Sequence, residues 1–254
     1  MLLAIDKPKW ISTFDIIRRL HRTYPKMKMW HCGTLDPLAT GLVIIGTEKD
    51  TKQMTNIVWL DKTYIADIDF SQISDTRDVD FWEVYEQYKW NKKPGVAEKS
   101  EKTEWTEIDI YIWDEIKSVN TNNIYKKIVW LLDSLIWTPE LPLPTFSAKK
   151  VKGKKLYELW RQWIDAKQTR VMKIYSHEIL AWEFPILKVK LSVGSGTYIR
   201  SIGYWLGQEL GLGGILSSLR RESIGKLAID KLEMKYLELS DIYMSEVVVS
   251  DILG

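Results

Sequence analysis

Hydrophobic and polar positions change their period along the chain, and each period predicts a different element. Apolar side chains alternate with polar ones over Lys62–Phe70, which indicates a half-buried strand. The apolar run Leu42–Gly46 indicates a buried strand, whereas the spacing of Ile16, Ile17 and Leu20 indicates one face of a helix. The other periodic segments predict strands at 2–6, 170–180 and 186–193 and helices at 13–24, 48–60, 121–136, 156–166 and 197–210. Strands and helices without strict alternation predict an α+β fold.

Two segments break this periodic pattern. Residues 31–40 have no apolar period and contain Gly33 and Pro37, so they are predicted to form a loop. Residues 71–118 are polar, charged and poorly periodic, which indicates an acidic, insertion-like segment or a surface excursion. At about 150 residues per domain, we expect residues 1–254 to form one large domain.

The composition narrows the class of protein. Hydrophobic residues make up 45% and charged residues 28%, as in a soluble globular protein. No apolar run approaches the roughly 20 residues of a membrane helix. The N-terminus lacks the basic region followed by an apolar region that is typical of a signal peptide. Cys32 is the only cysteine, which excludes a disulfide framework and fits a reducing, cytoplasmic location.

The net charge of +2 hides an uneven distribution. Residues 75–116 contain 12 acidic and 6 basic side chains, so the rest of the chain carries a net charge of +8. A basic body is compatible with a polyanionic partner, although a basic face can also serve solubility alone.

The segment His31–Gly41, with the sequence HCGTLDPLATG, carries the sharpest candidate for chemistry. In it, Asp36 lies between Gly33 and Pro37. Glycine and proline shape a stiff, exposed turn, where a catalytic carboxylate is usefully held. Spacing alone leaves open a purely structural role, in which Asp36 caps the turn.

The same string closely resembles the catalytic-loop motif G-H-x-G-x-L-D-P-x-A-x-G of the TruB-type tRNA pseudouridine synthases, in which the aspartate is essential. Five further blocks follow in that family's order: LAIDKP at 3–8, KTY at 62–64, PTFSAKKVKGKKLY at 144–157, SGTYIRS at 195–201 and LRR at 219–221. Six ordered blocks are implausible by chance. The resemblance implies the pseudouridine synthase fold, with a mixed, mostly antiparallel sheet, flanking helices and an active cleft across the sheet.

The resemblance also implies a reaction, the isomerisation of uridine 55 in the T-loop of tRNA to pseudouridine. This reaction breaks a glycosidic bond, lets the uracil rotate and joins its C5 to the sugar. Asp36 would act either by covalent attack or by assisting removal of a ribose proton, and the sequence leaves both roles open. Either role needs an ionised carboxylate beside the nucleotide.

The substrate-binding residues assigned by the resemblance are His31, Tyr64, Tyr198, Leu219 and Arg200. Arg200 is expected to pair with Asp36 and keep it ionised. Tyr64 is expected to stack on the extruded uracil. The other three match positions that line the uridine pocket or contact RNA near the flipped base. Without the family, these residues are equally typical of a surface charge, core side chains and a structural histidine.

A basic cluster is suited to the phosphates of the tRNA T-arm, and its members are Lys149, Lys150, Lys152, Lys154 and Lys155. A charge run of this kind is otherwise a solvated face. The sequence shows no metal-ligand cluster, dinucleotide-binding glycine pattern or P-loop, and the family works without a cofactor. The expected partner is therefore tRNA, with no cofactor, metal, membrane or obligate protein partner.

The chain contains 13 tryptophans but only 5 phenylalanines and 14 glycines. Five of the tryptophans stand where the family usually has glycine: Trp10, Trp30, Trp82, Trp137 and Trp163. Glycine at such positions usually serves a turn or a close backbone approach. We therefore hypothesise that the gene uses UGA for glycine and that UGA was read as tryptophan. The alternative is a tryptophan-rich variant, for which we expect a distorted Asp36 loop and weak activity.

Two regions depart from the family. Thr76, Asp78 and Asp80 only partly match its acidic T-D-x-x-D element, and no role is assigned to them. About 30 residues follow the LRR block, too few for the RNA-binding PUA domain of many members.

Three alternative functions stay open at this point. A guide-RNA-dependent synthase of archaeal and eukaryotic type needs protein partners and usually the PUA domain. A tRNA-binding folding chaperone of the same fold would show weak or no catalysis. A basic scaffold without an RNA role is disfavoured by the ordered motifs.

Overall fold

The computed structural model describes residues 1–72, 74, 76–79, 121–144, 150–151, 154–155 and 168–253. The strands are β1 (Leu2–Lys7), β2 (Met29–Cys32), β3 (Thr40–Thr47), β4 (Lys62–Asp69), β5 (Glu140–Pro142), β6 (Lys150–Val151), β7 (Lys154–Lys155), β8 (Thr169–Val171), β9 (Ile174–Glu183), β10 (Ile186–Val193), β11 (Ile215–Ile224), β12 (Leu227–Ala228), β13 (Lys235–Leu237) and β14 (Ile242–Val247). The helices are α1 (Thr13–Thr23), α2 (Met54–Ile57), α3 (Thr121–Ser134), α4 (Ile199–Leu210) and α5 (Val249–Leu253), with 3-10 turns at Glu48–Gln53 and Ile229–Lys231.

Ten strands form one mixed sheet in the order β13-β14-β1-β3-β11-β4-β10-β9, with β2 beside β3 and β12 beside β11. Among the named strands of the described residues, only β11 and β3 pair in parallel, and all other pairs are antiparallel. The predicted α+β class and the mixed, mostly antiparallel sheet are confirmed.

Helices cover the sheet in two apolar layers, because alternate residues of each strand face opposite sides. The larger layer packs α1, α3 and α4 against side chains such as Leu3, Val43 and Ile68. The smaller layer packs α2 and α5 against the other side of β1 and β3, where Ala4 and Ile44 point. The loop between β2 and β3 carries Asp36 and is called the Asp36 loop. It contributes Leu35 and Leu38 to the larger layer.

Capping interactions define the start of α1 and the end of α4. Ser12 caps α1, because its hydroxyl accepts from the Asp15 amide while the Asp15 carboxylate accepts from the Ser12 amide. Gly211 ends α4 in the left-handed conformation, with φ 71°.

Several predicted boundaries are wrong. His31 belongs to β2 rather than to a loop, because this segment pairs with β3 through His31 and Ile45. The predicted strand 170–180 is two strands, β8 and β9. The helix predicted from residue 197 begins at Ile199, because Tyr198 is extended and forms its N-cap. The predicted helix 156–166 lies outside the described residues, as does most of the segment 71–118.

One row of residues across four neighbouring strands supports the site. The register aligns Lys7 with Gly41, Gly41 with Arg221 and Arg221 with Tyr64. Gly41 has φ 98°, and a Cβ there would lie 2.2 Å from the Arg221 carbonyl oxygen. Only glycine therefore permits β3 to run beside β11 at the point where the Asp36 loop enters the sheet.

Candidate active site

Asp36 lies in the middle of the loop between β2 and β3, where Arg200 of α4 contacts it. Arg200 Nη2 donates to Asp36 Oδ1 at 3.2 Å, and Arg200 Nε lies 3.1 Å from Oδ2. The arginine side chain is 7% exposed, whereas the aspartate side chain is 35% exposed. A buried cation thus holds a carboxylate that still reaches the surface.

The Asp36 loop is held from the β1 side by Lys7, which is completely buried. Its ammonium donates to the carbonyls of Pro8, Pro37 and Ala39 at 3.0, 3.1 and 2.5 Å. Two of these carbonyls lie one and three residues after Asp36, so the bonds limit how far the backbone on that side of Asp36 can move.

The other side of the loop is held by Arg221, which is 1% exposed. Its Nε donates to the Leu42 carbonyl at 2.6 Å and its Nη2 to the Gly33 carbonyl at 3.1 Å. Thr13 of α1 adds a third support, because its hydroxyl accepts from the Leu35 amide at 2.9 Å. Three buried polar side chains, Lys7, Thr13 and Arg221, therefore hold the loop from three different elements.

Asp78 is a functional candidate to which the sequence assigned no role. Its Oδ2 lies 3.4 Å from Arg200 Nη1, which also donates to the Thr76 carbonyl at 2.8 Å. Both Thr76 and Asp78 are 3% exposed. The partial match to the family's T-D-x-x-D element was the only available signal, because nothing local in the sequence places residue 78 beside residue 200.

Tyr64, Leu219 and Tyr198 come together with the loop in one apolar cluster. Tyr64 is 8% exposed and Leu219 is 6% exposed, and both belong to the cluster that contains Leu35 and Leu38 of the loop. Tyr198 packs against this cluster, and its amide donates to Met172 Sδ at 3.5 Å. These three assigned residues and the loop therefore belong to one apolar cluster, and their contact with a uridine stays a prediction.

His31 is half-buried on β2, just before the loop. Burial lowers its pKa, and the positive charge of Arg221 lowers the pKa further, so the imidazole is neutral at pH 7. Its Nδ1 has no hydrogen-bond partner among the described residues. The Trp30 ring stacks near it, with centroids 6.2 Å apart and an interplanar angle of 4°.

Three lysines of the predicted phosphate-binding cluster lie in the hairpin of β6 and β7, where Lys150 pairs with Lys155 and Val151 with Lys154. Lys149 and Lys152 lie outside the described residues. The hairpin keeps its lysines close in space, and their role stays a prediction.

Two of the five unexpected tryptophans have glycine-like backbones. Trp10 has φ 69° and Trp137 has φ 90°, a region that bulky side chains rarely adopt. Their side chains are 50% and 72% exposed. The Trp10 amide donates to the Pro37 carbonyl at 2.8 Å, so its conformation touches the Asp36 loop. Trp30 lies in regular strand β2, and Trp82 and Trp163 lie outside the described residues.

In the described ranges, no three His, Cys, Asp or Glu side chains are grouped so that they could hold a metal ion. In the same ranges, no helix has both the length and the apolar character needed to cross a bilayer.

Comparison with known proteins decides the family. The N-terminal domain of the TruB family pseudouridylate synthases matches residues 19–104 and 86–199. The chain belongs to this family. A tRNA pseudouridine synthase B from Chloroherpeton thalassium is 35% identical over 233 residues, which cover 89% of this chain and 84% of that protein. One from Dehalococcoides mccartyi is 32% identical over 226 residues, covering 89% of this chain and 65% of the relative.

Solved structures confirm the fold of this TruB family member. A chain of a Cbf5–Nop10–Gar1 complex matches with a TM-score of 0.59 and 21% identity. A chain of an H/ACA RNP bound to a substrate RNA containing 2′-deoxyuridine matches with a TM-score of 0.57 and 20% identity. The matches cover 91% of this chain but only 50% and 49% of the other chains. The predicted family and pseudouridine synthase fold are therefore confirmed.

Proposed function

We propose that this TruB family protein isomerises uridine 55 in the T-loop of tRNA to pseudouridine, with Asp36 as the catalytic residue. The observation that carries the proposal is the contact between buried Arg200 and partly exposed Asp36 beside the apolar cluster of Tyr64 and Leu219. In this setting a buried guanidinium holds the carboxylate in one orientation while part of the carboxylate stays accessible to a substrate.

The proposed reaction needs no net redox change. The bond between C1′ of the ribose and N1 of uracil breaks, and a bond between C1′ and C5 forms. C5 loses its proton and N1 takes up one proton from the solvent, so the product is an isomer of the substrate. Asp36 would act on the ribose, either as nucleophile at C1′ or as base toward a ribose proton. Tyr64 would stack on the freed uracil, and Arg200 would hold the carboxylate through each step.

Extrusion of the target base from a folded loop costs a few kcal/mol, which contacts to the rest of the T-arm must offset. We propose that the lysine cluster around β6 and β7 supplies part of this binding through phosphates. Replacing Lys150, Lys154 and Lys155 by alanine should weaken tRNA binding and flatten its salt dependence. An unchanged slope of log affinity against log salt would remove these lysines from the interface.

We further propose that the protein acts on tRNA in the cytoplasm without an obligate protein partner. The names of its relatives, which are tRNA pseudouridine synthases, support the tRNA substrate. A guide-RNA-dependent reaction would require RNA and protein partners in the assay.

The test is to incubate the purified protein with an unmodified tRNA transcript and to map pseudouridine by position. A transcript with cytidine at position 55 is the matched control. We expect one pseudouridine, at position 55, and none in the control. Pseudouridine elsewhere would refute the proposed target. Bound but unmodified tRNA would instead support the folding chaperone.

A further inference from the structure

Arg77 is a buried and conformationally unusual residue that the site described so far does not use. It is 9% exposed and has φ 63°, in the left-handed region. A left-handed backbone is unfavourable for a residue that carries a side chain, and burial of a cation adds a desolvation cost. A residue that combines a left-handed backbone with a buried charge beside a candidate active site is a candidate for a functional role.

The backbone around Arg77 is docked on β11 whatever the side chain at this position. The Leu216 amide donates to the Arg77 carbonyl at 3.0 Å, and the Val79 amide donates to the Leu216 carbonyl at 3.1 Å. The arginine side chain is therefore not what attaches this segment to the sheet.

The side chain of Arg77 instead connects the segment to α4. Its Cζ lies 3.9 Å from the centroid of the Tyr204 ring, a close cation–π contact. Its Nη1 donates to the Pro142 carbonyl at 2.8 Å, and the same carbonyl accepts from the Ser201 hydroxyl at 2.6 Å. Ser201 is completely buried.

Both contacts of Arg77 lead to the turn of α4 that carries Arg200. Ser201 follows Arg200 directly, and Tyr204 lies four residues after it, on the same helix face. On the other side, the two neighbours of Arg77 are the partners of Arg200, namely the Thr76 carbonyl and the Asp78 carboxylate.

Arg77 remains a cation in this place. Burial lowers its pKa to about 10, the Tyr204 ring opposes this change and nearby Arg200 adds to it. The charge is therefore present at neutral pH, where it interacts with the ring face.

We propose that Arg77 is a positioning residue, which clamps segment 76–78 to α4 and thereby fixes the guanidinium of Arg200 against Asp36. The inference rests on the proposed function for its catalytic consequence. The contacts of Arg77 fix both sides of the same ion pair, and a small displacement of Arg200 would misplace the carboxylate.

The first test measures kinetics of pseudouridine formation with Arg77→Gly, which keeps the left-handed backbone and removes the clamp. Lys26→Gly is the matched control, because Lys26 also has a left-handed backbone, with φ 67°, but lies exposed at the end of α1. We expect kcat to fall about 10- to 100-fold in Arg77→Gly while KM for tRNA changes less than about twofold. Lys26→Gly should change neither constant.

A second pair of variants guards against misfolding of Arg77→Gly. Tyr204→Phe keeps the ring under the guanidinium, whereas Tyr204→Leu removes it. We expect Tyr204→Phe to retain wild-type kcat and Tyr204→Leu to lower it in the same direction as Arg77→Gly. Unchanged kcat in both Arg77→Gly and Tyr204→Leu would overturn the proposal, as would a loss confined to KM.

A readout independent of activity separates this proposal from the proposed function. The Nε proton of Arg200 should give a sharp, exchange-protected NMR signal in the wild type and exchange faster in Arg77→Gly. If the wild type forms no pseudouridine but the Arg200 Nε proton exchanges faster in Arg77→Gly, the proposed function alone is refuted. An Arg200 signal that does not respond to Arg77→Gly would refute the clamp.

Discussion

At the scale of single residues, burial distinguishes two arginine–aspartate pairs of similar geometry. Arg220 contacts Asp6 through two bonds of 3.0 Å, but the arginine side chain is 38% exposed. The Arg200 side chain is 7% exposed in its pair with Asp36. Exposed pairs contribute little to stability because water screens them, whereas a buried guanidinium fixes its partner in one place.

The difference in burial predicts that replacing arginine by lysine has different effects at positions 200 and 220. Arg200→Lys keeps the charge but loses the planar fork that reaches Asp36, Asp78 and the Thr76 carbonyl. We expect the single-turnover rate of pseudouridine formation to fall about 100-fold, with tRNA binding retained. Arg220→Lys is the control and should stay close to wild type. Equal rates in both variants would show that the buried pair does not position the carboxylate.

The tryptophans at 10 and 137 lead to a prediction about stability. Because both have left-handed backbones, Trp10→Gly and Trp137→Gly should each raise the free energy of unfolding by about 1 kcal/mol. Trp130 is similarly exposed, at 66%, but lies inside α3. Because glycine is unfavourable inside a helix, Trp130→Gly should lower the free energy of unfolding by about 1 kcal/mol. Urea denaturation measures all three values.

The gene sequence tests the hypothesis about the unexpected tryptophans directly. The UGA hypothesis predicts UGA codons at positions 10, 30, 82, 137 and 163 and glycine in the peptides of the natural protein. UGG codons there would contradict it. Destabilisation by both Trp10→Gly and Trp137→Gly would remove the structural support for glycine.

At the scale of elements, the parallel contact of β3 and β11 brings the Asp36 loop next to Leu219. Gly41 lies at this contact, and a Cβ there would meet the Arg221 backbone. Gly211 also has positive φ, 71°, but a Cβ there would meet nothing within 4 Å. The two glycines thus separate the cost of a strained backbone from the cost of a steric clash.

Alanine substitutions test this separation. We expect Gly211→Ala to lower the free energy of unfolding by about 1 kcal/mol, from backbone strain alone. Gly41→Ala should cost about 3 kcal/mol or more and should also displace the Asp36 loop. Chemical denaturation gives both values. Equal costs at the two positions would show that the strands can move apart at Gly41.

The elements also show how far the sequence predicts this fold. Strongly periodic segments such as β4 and α1 were predicted, because each has one buried face and α1 has a capping residue. The central strand β11 was not predicted as a strand, since its apolar and charged residues, including Arg221, are both buried. The partnership of Asp78 with Arg200 depends on a contact 122 residues apart in the chain, which no local pattern records. The resemblance to the ordered motifs of the TruB-type family, rather than periodicity, indicates Asp36 and Arg200.

At the scale of the whole molecule, one sheet with helices on both faces carries the site on its larger apolar layer. Lys7 and Arg221 hold the Asp36 loop from two strands, and Arg200 reaches it from α4. The site is therefore assembled from parts of the chain that are far apart in sequence. Its geometry depends on the complete fold, so global stability and catalysis should be measured together in every variant.

The most direct test of this account compares single-turnover pseudouridine formation by the wild type and Asp36→Asn on an unmodified tRNA transcript. Asparagine has nearly the same shape but cannot attack as a carboxylate or accept a proton as one. We expect the rate to fall at least about a thousandfold, while the urea midpoint and tRNA binding stay near wild type. Pseudouridine formation by Asp36→Asn at the wild-type rate would contradict the central role of this carboxylate.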